Sequence, residues 1–575
     1  MVESIRPVAL TEPKPGVYVF DLGVNTAGWA RLETRGKRGQ KVRLEFNEPL
    51  GEDGTVDMNQ LSSLSRGRFQ SGEFILKGEG IEVYEPRFTY HGFRYVQVTG
   101  LAGKPTLDSL TGRRVHTDPE PAGRFSCSNP LVNRIHETIV RTQLTNMHGI
   151  PTDCPHREKL GWTGDGCITM EEAIYNFRMA TFYTKWWRDI QEAQDDNGHA
   201  CPIAPSSGWG RSQPDGSPGT LSDPWWGGAI VRTPWQLYRY YGDRRILEEA
   251  YEPMQKYLAY VATQAPGHIS WANEGDWLEV DAAKAVSERT PPELAGTAAY
   301  YYHAKIVAEA AALLGRDEDS RNYARLAEDI STSFHERYFD PAAGLYADDS
   351  QTAPAMALYF GMTPPYKRRL VLEGLLKSIR EKRDNHISSG IIGTHYVFQT
   401  LMETGHDETA YAMLTGEDYP GWGHMLANGA TTLWESWKGG GSRNHPALGS
   451  IGAWLYQGLG GIRPDPAKPA FKRFVVKPAV VGDLTWVNCS YQSPYGEIVS
   501  NWKLEDGKLC MQVTVPVNTV ATVHVPTTDS AAVTESGRPA KEADGVRSFQ
   551  VSGEDAVYEV ESGSYVFEAP DGVTP

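Results

Sequence analysis

Two short stretches concentrate the side chains that could do acid–base chemistry. The first, PTDCPHREKLGWTGD at residues 151–165, holds Asp153, Glu158 and Asp165, with Arg157, His156 and Trp162 between them. Pro151, Pro155, Gly161 and Gly164 interrupt any continuous helix, so the stretch projects polar groups instead of burying an apolar stripe. Crowded like charges raise carboxyl pKa values, which keeps an acid protonated near neutral pH. The plainer alternative is a solvated acidic loop, and Trp162 beside three carboxylates weighs against it. The second stretch, YPGWGHMLANGATTLWESW at residues 419–437, carries Glu435 between Trp434 and Trp437 as its only carboxylate. A carboxylate flanked by indoles is either a paired structural residue or a base beside a sugar-binding platform.

Together the two stretches contain what glycoside hydrolysis requires. One carboxylic acid protonates the leaving oxygen, and a second carboxylate attacks the anomeric carbon or activates water. The chain contains no GxSxG elbow, no GxxxxGK[ST] loop, no HExxH and no GxGxxG in a strand–helix setting.

The elements that must position these residues change character along the chain. Up to about residue 117, short period-2 patches such as GVYVFDLG, QKVRLEFNE and FRYVQVTG predict an all-β sandwich. Residues 118–127 read as a linker. Ser128-Asn129-Pro130 then opens a helix that Gly149 should end. Helices are predicted at 167–193, 224–241, 244–263, 293–314, 318–336, 366–383, 390–404 and 446–458, making 128–461 one large helical domain. Its loops at 200–223 and 416–445 are long and rich in Gly, Trp and Pro, a mark of functional loops. Strand patterning returns after Gly461, so 462–575 reads as a second β-sandwich, with a tail at 571–575 expected to fray.

Composition narrows the field. The 575 residues carry a net charge of −16, a poor match to nucleic acid or an anionic membrane surface. Hydrophobic residues at 40% and charged ones at 22% describe an ordinary folded protein. No run of 18 apolar residues is present to span a membrane. Six cysteines without ligand spacing read as free thiols, not as a disulfide framework or a metal site. The segment MVESIRPVALTEPKPG lacks an apolar targeting core, so the chain as given reads as cytoplasmic or as the mature part of an exported protein. The 16 Trp and 28 Tyr suit stacking against sugar rings, and equally suit an aromatic core.

TDCPHREKLGWTGD and NGATTLWESW resemble the two signature segments of the α-L-rhamnosidases of glycoside hydrolase family 78, in the same order. The resemblance covers most of the chain. It implies an α+β architecture with a central (α/α)6 barrel flanked by N- and C-terminal β-sandwiches. It also implies release of terminal L-rhamnose with inversion, with no cofactor or metal. By position in the matched segments, Glu158 is implied as general acid and Glu435 as general base. Asp153 and Asp165 are implied to hold rhamnose hydroxyls, with Arg157 and Trp162 beside them. His445, in SRNHPALGS, matches a sugar-lining histidine. Trp277, in GDWLE, is implied as a pocket wall, as is Trp226 in DPWWGGA; Trp434 adjoins the base. Family members often carry an acidic residue where Gly228 stands, and the position of His156 varies, so it receives no role. The partner implied is a rhamnosylated glycoside or oligosaccharide, and the β-domains are candidates for shaping the entrance or a homodimer contact. Two rivals remain. Another helical-barrel glycosidase or uronate lyase would need, as a lyase, a Tyr/His base and basic residues. A carbohydrate-binding protein would have no need of both Glu158 and Glu435.

Overall fold

The computed structural model describes residues 1–61, 69–219, 221–347, 349–553 and 555–570; the tail expected to fray, 571–575, lies outside them. Two compact units emerge. The first comprises Met1–Asp118, Thr138–Trp162 and Met425–Gly449, and the second Pro119–Glu137, Thr163–His424 and the chain from Ser450 onward. Residues 151–162 of the first charged stretch and 425–437 of the second therefore fold with the N-terminal strands.

In the first unit eight strands form one antiparallel sheet. Its order is Glu3–Ile5, Leu110–Arg114, Val17–Thr34, His91–Thr99, Lys41–Asn47 and Ser71–Ile75, while Ala9–Lys14 and Glu82–Tyr84 also pair with Val17–Thr34. That central strand is 18 residues long, and its register against His91–Thr99 shifts between Asp21 and Thr26. Such a shift bends a strand and lets it serve several partners. Alternation places Phe20, Leu22, Leu32, Leu44, Phe46, Phe93, Val96 and Val98 in one buried cluster.

The second unit carries most of the helices. Asn129 starts Pro130–Thr145, its Oδ1 accepting from the Leu131 amide at 2.9 Å. This helix stops at Thr145, short of Gly149, because Asn146 and Met147 turn back onto Gln143 and Leu144. The helix expected over 167–193 is three pieces, Thr163–Ile168, Met170–Asn176 and Ala180–Glu192. The break falls where Phe177 adopts an extended backbone and bridges to Pro121. Asp243 caps Arg244–Thr263 through the Arg245 amide at 3.1 Å, and Gly242 in the left-handed region closes Ala229–Tyr241 before it. Successive helices pack together, as in Pro292–Leu313 with Asp317–Tyr338.

Among the described residues, three further sheets, of two, five and seven strands, belong to this unit. Gly123–Cys127, within the expected linker, is a strand: it pairs antiparallel with Trp486–Ser493 at the edge of the seven-stranded sheet. Phe125 and Cys127 turn inward while Arg124 stays exposed, the alternation of a half-buried strand. Five of the six cysteines are buried and all are free. Among the described residues no helix is long and apolar enough to cross a membrane.

Candidate active site

Residues 153–160 close on themselves. The Asp153 amide donates to the Leu160 carbonyl at 3.0 Å, and the Leu160 amide donates to Asp153 Oδ1 at 2.9 Å. Lys159 takes a left-handed backbone at the turn and donates from Nζ to the Tyr90 carbonyl at 2.6 Å. Burial lowers its pKa to about 8. Gly92 lies directly under this loop, since a Cβ there would stand 2.8 Å from the His156 amide nitrogen. The N-terminal sheet thus supports the loop through a residue with no side chain.

The loop presents Arg157 and Glu158. Trp162 donates its indole N–H to Glu158 Oε2 at 2.9 Å, and Arg157 Nε lies 3.4 Å from Glu158 Oε1. The pKa of Glu158 is raised, first by burial. Glu435, and not the expected Asp153 or Asp165, is the leading carboxylate that adds to it, while Trp162, Arg157 and His445 pull it down. Asp153, Cys154 and Glu158 have potential ligand atoms within 4.8 Å of one another. Burial pushes the Cys154 thiol well up, which disfavours the thiolate a metal would need.

Glu435 comes from the second stretch. Arg157 Nη2 donates to its Oε1 at 2.7 Å and its Oε2 at 2.6 Å, and the Ser442 amide donates to Oε2 at 2.6 Å. The Glu435 amide returns a bond to the Ser442 carbonyl at 2.9 Å, and the His445 amide one to the Leu433 carbonyl at 2.9 Å. The segment is therefore a bracket of two antiparallel runs, with the glutamate at its end. Gly441 must be glycine here: its φ is +73°, and a Cβ would meet Glu435 Oε2. His445 is buried. Trp434 is buried, with the Arg443 guanidinium carbon 5.6 Å from its ring centre. It lines a cavity of about 190 Å³ with Asn25, Glu48, Arg94 and Arg443. Asn25 and Glu48 are site residues the sequence reading missed. They lie in strand-like segments far from either motif, and no local signal marks them.

Three expected residues lie in the second unit. Asp165, in the first turn of Thr163–Ile168, accepts from the Trp226 indole N–H at 3.1 Å. The Trp226 ring lies on Gly164, where a Cβ would be 2.6 Å from it, and Trp226 is 3% exposed, so within this unit it packs and orients Asp165. Trp277 is half-buried. Its flanking acids are both structural. Asp276 accepts from the amides of Gly390 (2.8 Å), Ile392 (3.1 Å) and Gly393 (2.8 Å), at the start of Ile391–Glu403. Glu279 takes the amides of Glu288, Arg289 and Thr290. At Gly228 a Cβ would come within 1.8 Å of the His303 ring, so the histidine fills the place of any side chain there.

The chain resembles known proteins over most of its length. The family model described as the bacterial alpha-L-rhamnosidase 6 hairpin glycosidase domain matches residues 120–459. The concanavalin-like and C-terminal domains of the same group match 11–116 and 461–539. An alpha-L-rhamnosidase of Streptomyces avermitilis is 36% identical over 572 residues, covering 97% of this chain and 52% of its own. A solved alpha-L-rhamnosidase from Dictyoglumus thermophilum superposes with a TM-score of 0.91 at 36% identity, covering 99% of this chain and 63% of that one. The Streptomyces avermitilis alpha-L-rhamnosidase complexed with L-rhamnose gives 0.89 at 34% identity, covering 99% and 53%. The chain spans about half the length of the curated relatives it matches, between 52% and 60%.

Proposed function

Because the chain belongs to the bacterial α-L-rhamnosidase family, we propose that it hydrolyses terminal α-L-rhamnosides with inversion, Glu158 acting as general acid and Glu435 as general base. The observation that carries this reading is the Arg157 guanidinium, which touches Glu435 at 2.6 Å and Glu158 at 3.4 Å. One planar group between two carboxyls is compatible with the roughly 6.5–9.5 Å separation that leaves room for a water in an inverting site. Burial raises the pKa of Glu158, the direction the acid role demands. Glu435 accepts a proton from water as that water attacks the anomeric carbon, while Glu158 gives its own to the departing oxygen.

Asp153, Trp162, Trp434 and His445, and in the second unit Asp165, Trp226 and Trp277, take the substrate-binding roles. Carboxylates that bind hydroxyls discriminate sugars strongly, because a buried carboxylate left without its partner is costly. Residues 128–461 form an (α/α)6 barrel between β-sandwiches at 1–117 and 462–575. The paired successive helices and the six-hairpin description matched by 120–459 support that organisation.

The test is hydrolysis of an aryl α-L-rhamnoside beside other aryl glycosides, with the product followed by NMR before mutarotation. β-L-Rhamnose is the expected first product. An α-product would overturn the assignment of Glu435 as base, and absence of turnover on rhamnosides alone would overturn the substrate class.

A further inference from the structure

Glu48 follows the strand Lys41–Asn47, about 390 residues before the motif that carries Glu435. Its side chain has no exposed surface, and burying a carboxylate is expensive unless its oxygens are satisfied. Here both are used on the Glu435 bracket and its supports. Glu48 Oε2 accepts from the Arg443 amide at 2.6 Å, and Oε1 accepts from Asn25 Nδ2 at 3.1 Å. The Ser442 hydroxyl stands 3.4 Å from each oxygen. Asn25 Nδ2 also donates to Thr432 Oγ1 at 3.1 Å and to the Arg443 carbonyl at 3.2 Å, and the Asn25 amide donates to Thr431 Oγ1 at 2.8 Å.

The consequence lies one residue away on each side. The Ser442 amide, adjacent to the amide that Glu48 holds, is the one that donates to Glu435 Oε2. On the other side, His156 Nε2 stands 3.5 Å from Glu48 Oε2, and His156 precedes Arg157, which holds both oxygens of Glu435. One donor to Glu435, the Ser442 amide, is thus anchored on a carboxylate of the N-terminal region, and the residue before the other donor, Arg157, packs against that same carboxylate. We propose that Glu48 is a positioning residue, which sets the orientation of the general base by fixing the segment whose Ser442 amide donates to Glu435. This rests on the reading of Glu435 as base. It gives the N-terminal β-region a part in the chemistry, for which its fold alone provides no reason.

The test is Glu48→Gln, which keeps the shape but sets an amide group against donors. Misplacement of a catalytic group by about 1 Å can cost 10²-fold in rate, so kcat is expected to fall by about 10–100-fold with KM little changed. The loss should be the same on 2,4-dinitrophenyl and alkyl α-L-rhamnosides, because water activation is needed whatever the leaving group. Added to Glu435→Gln, the change should leave the residual turnover unaltered, since no base remains to be positioned. If Glu48→Gln does not fold, Asn25→Ala carries the same test with a smaller loss. An equal loss in the wild-type and Glu435→Gln backgrounds would make Glu48 merely structural. A loss confined to alkyl rhamnosides would place its influence on Glu158 instead, and either result overturns the proposal. The base assignment fails separately, when Glu435→Gln alone retains turnover.

Discussion

Arg157 and Glu435 stand 278 residues apart in the chain, yet one guanidinium nitrogen of the first donates to both carboxylate oxygens of the second. The same side chain lies 3.4 Å from Glu158 and pulls its pKa down against burial. Arg157 therefore acts on both proposed catalytic groups at once.

Arg157→Gln is expected to lower kcat by about 10²-fold, because Glu435 loses the group that orients it. Removing the positive charge also removes an influence that lowers the pKa of Glu158. That pKa then rises further, and the alkaline limb of the kcat/KM profile, which reports loss of the acid's proton, moves to higher pH. A pH–rate series on wild type and variant measures both effects. An alkaline limb that stays in place would separate Arg157 from Glu158.

The two glutamates should respond differently to the leaving group. Glu158→Gln is expected to keep most of its turnover on 2,4-dinitrophenyl α-L-rhamnoside, whose phenolate departs with little protonation. On alkyl rhamnosides it should lose about 10²–10⁴-fold. Glu435→Gln should be poor on both. Steady-state kinetics on the two substrates decides it: equal losses for Glu158→Gln would remove that residue from the acid role.

Trp277 sits half-buried between two acids whose oxygens are occupied by backbone amides. Its acidic neighbours are tied to the scaffold, and the proposed sugar-binding role falls to the indole. Trp277→Ala should raise KM for rhamnosides with a smaller effect on kcat, the mark of lost uniform binding. Thermal denaturation is the companion measurement, and an unchanged KM with a lowered Tm would mark the residue as packing.

Glu274 offers a test of stability. It is buried, its Oε2 has no hydrogen-bond partner among the described residues, and its pKa is pushed up to about 8 by burial and then by Asp223. An unfolded glutamate titrates near 4.3. Between about 4.3 and 8 the folded chain therefore holds a proton that the unfolded chain has released, and stability falls as pH rises through that window. Glu274→Gln mimics the protonated form. Its Tm should match wild type near pH 4 and exceed it near pH 8, and a difference independent of pH would contradict the account.

Much of the candidate site was legible because side-chain chemistry is local. Three carboxylates, a guanidinium and an indole in 13 residues, broken by proline and glycine, announce a polar functional loop whatever surrounds it. Period-2 and period-3.6 patterning likewise separated strand regions from helical ones, since each reports which residues of one element face the core. It did not anticipate the break at Phe177, where a bridge to Pro121 interrupts a run that reads as helix.

What the sequence determined by itself is the type of each element and the kinds of group the chain can bring to a reaction. What only the tertiary structure decided is which of them meet. Gly123–Cys127 reads as a linker because its partner, Trp486–Ser493, lies more than 350 residues away, and a five-residue strand has no local stability to declare itself. Glu48 reads as an ordinary strand-end acid until Ser442, Arg443 and His156 close around it. Arg157 has several carboxylates nearby in sequence, and its two short bonds to Glu435 follow from the folded path of the chain. Hydrogen bonds between distant segments depend on three-dimensional register, and no window of neighbouring residues encodes that.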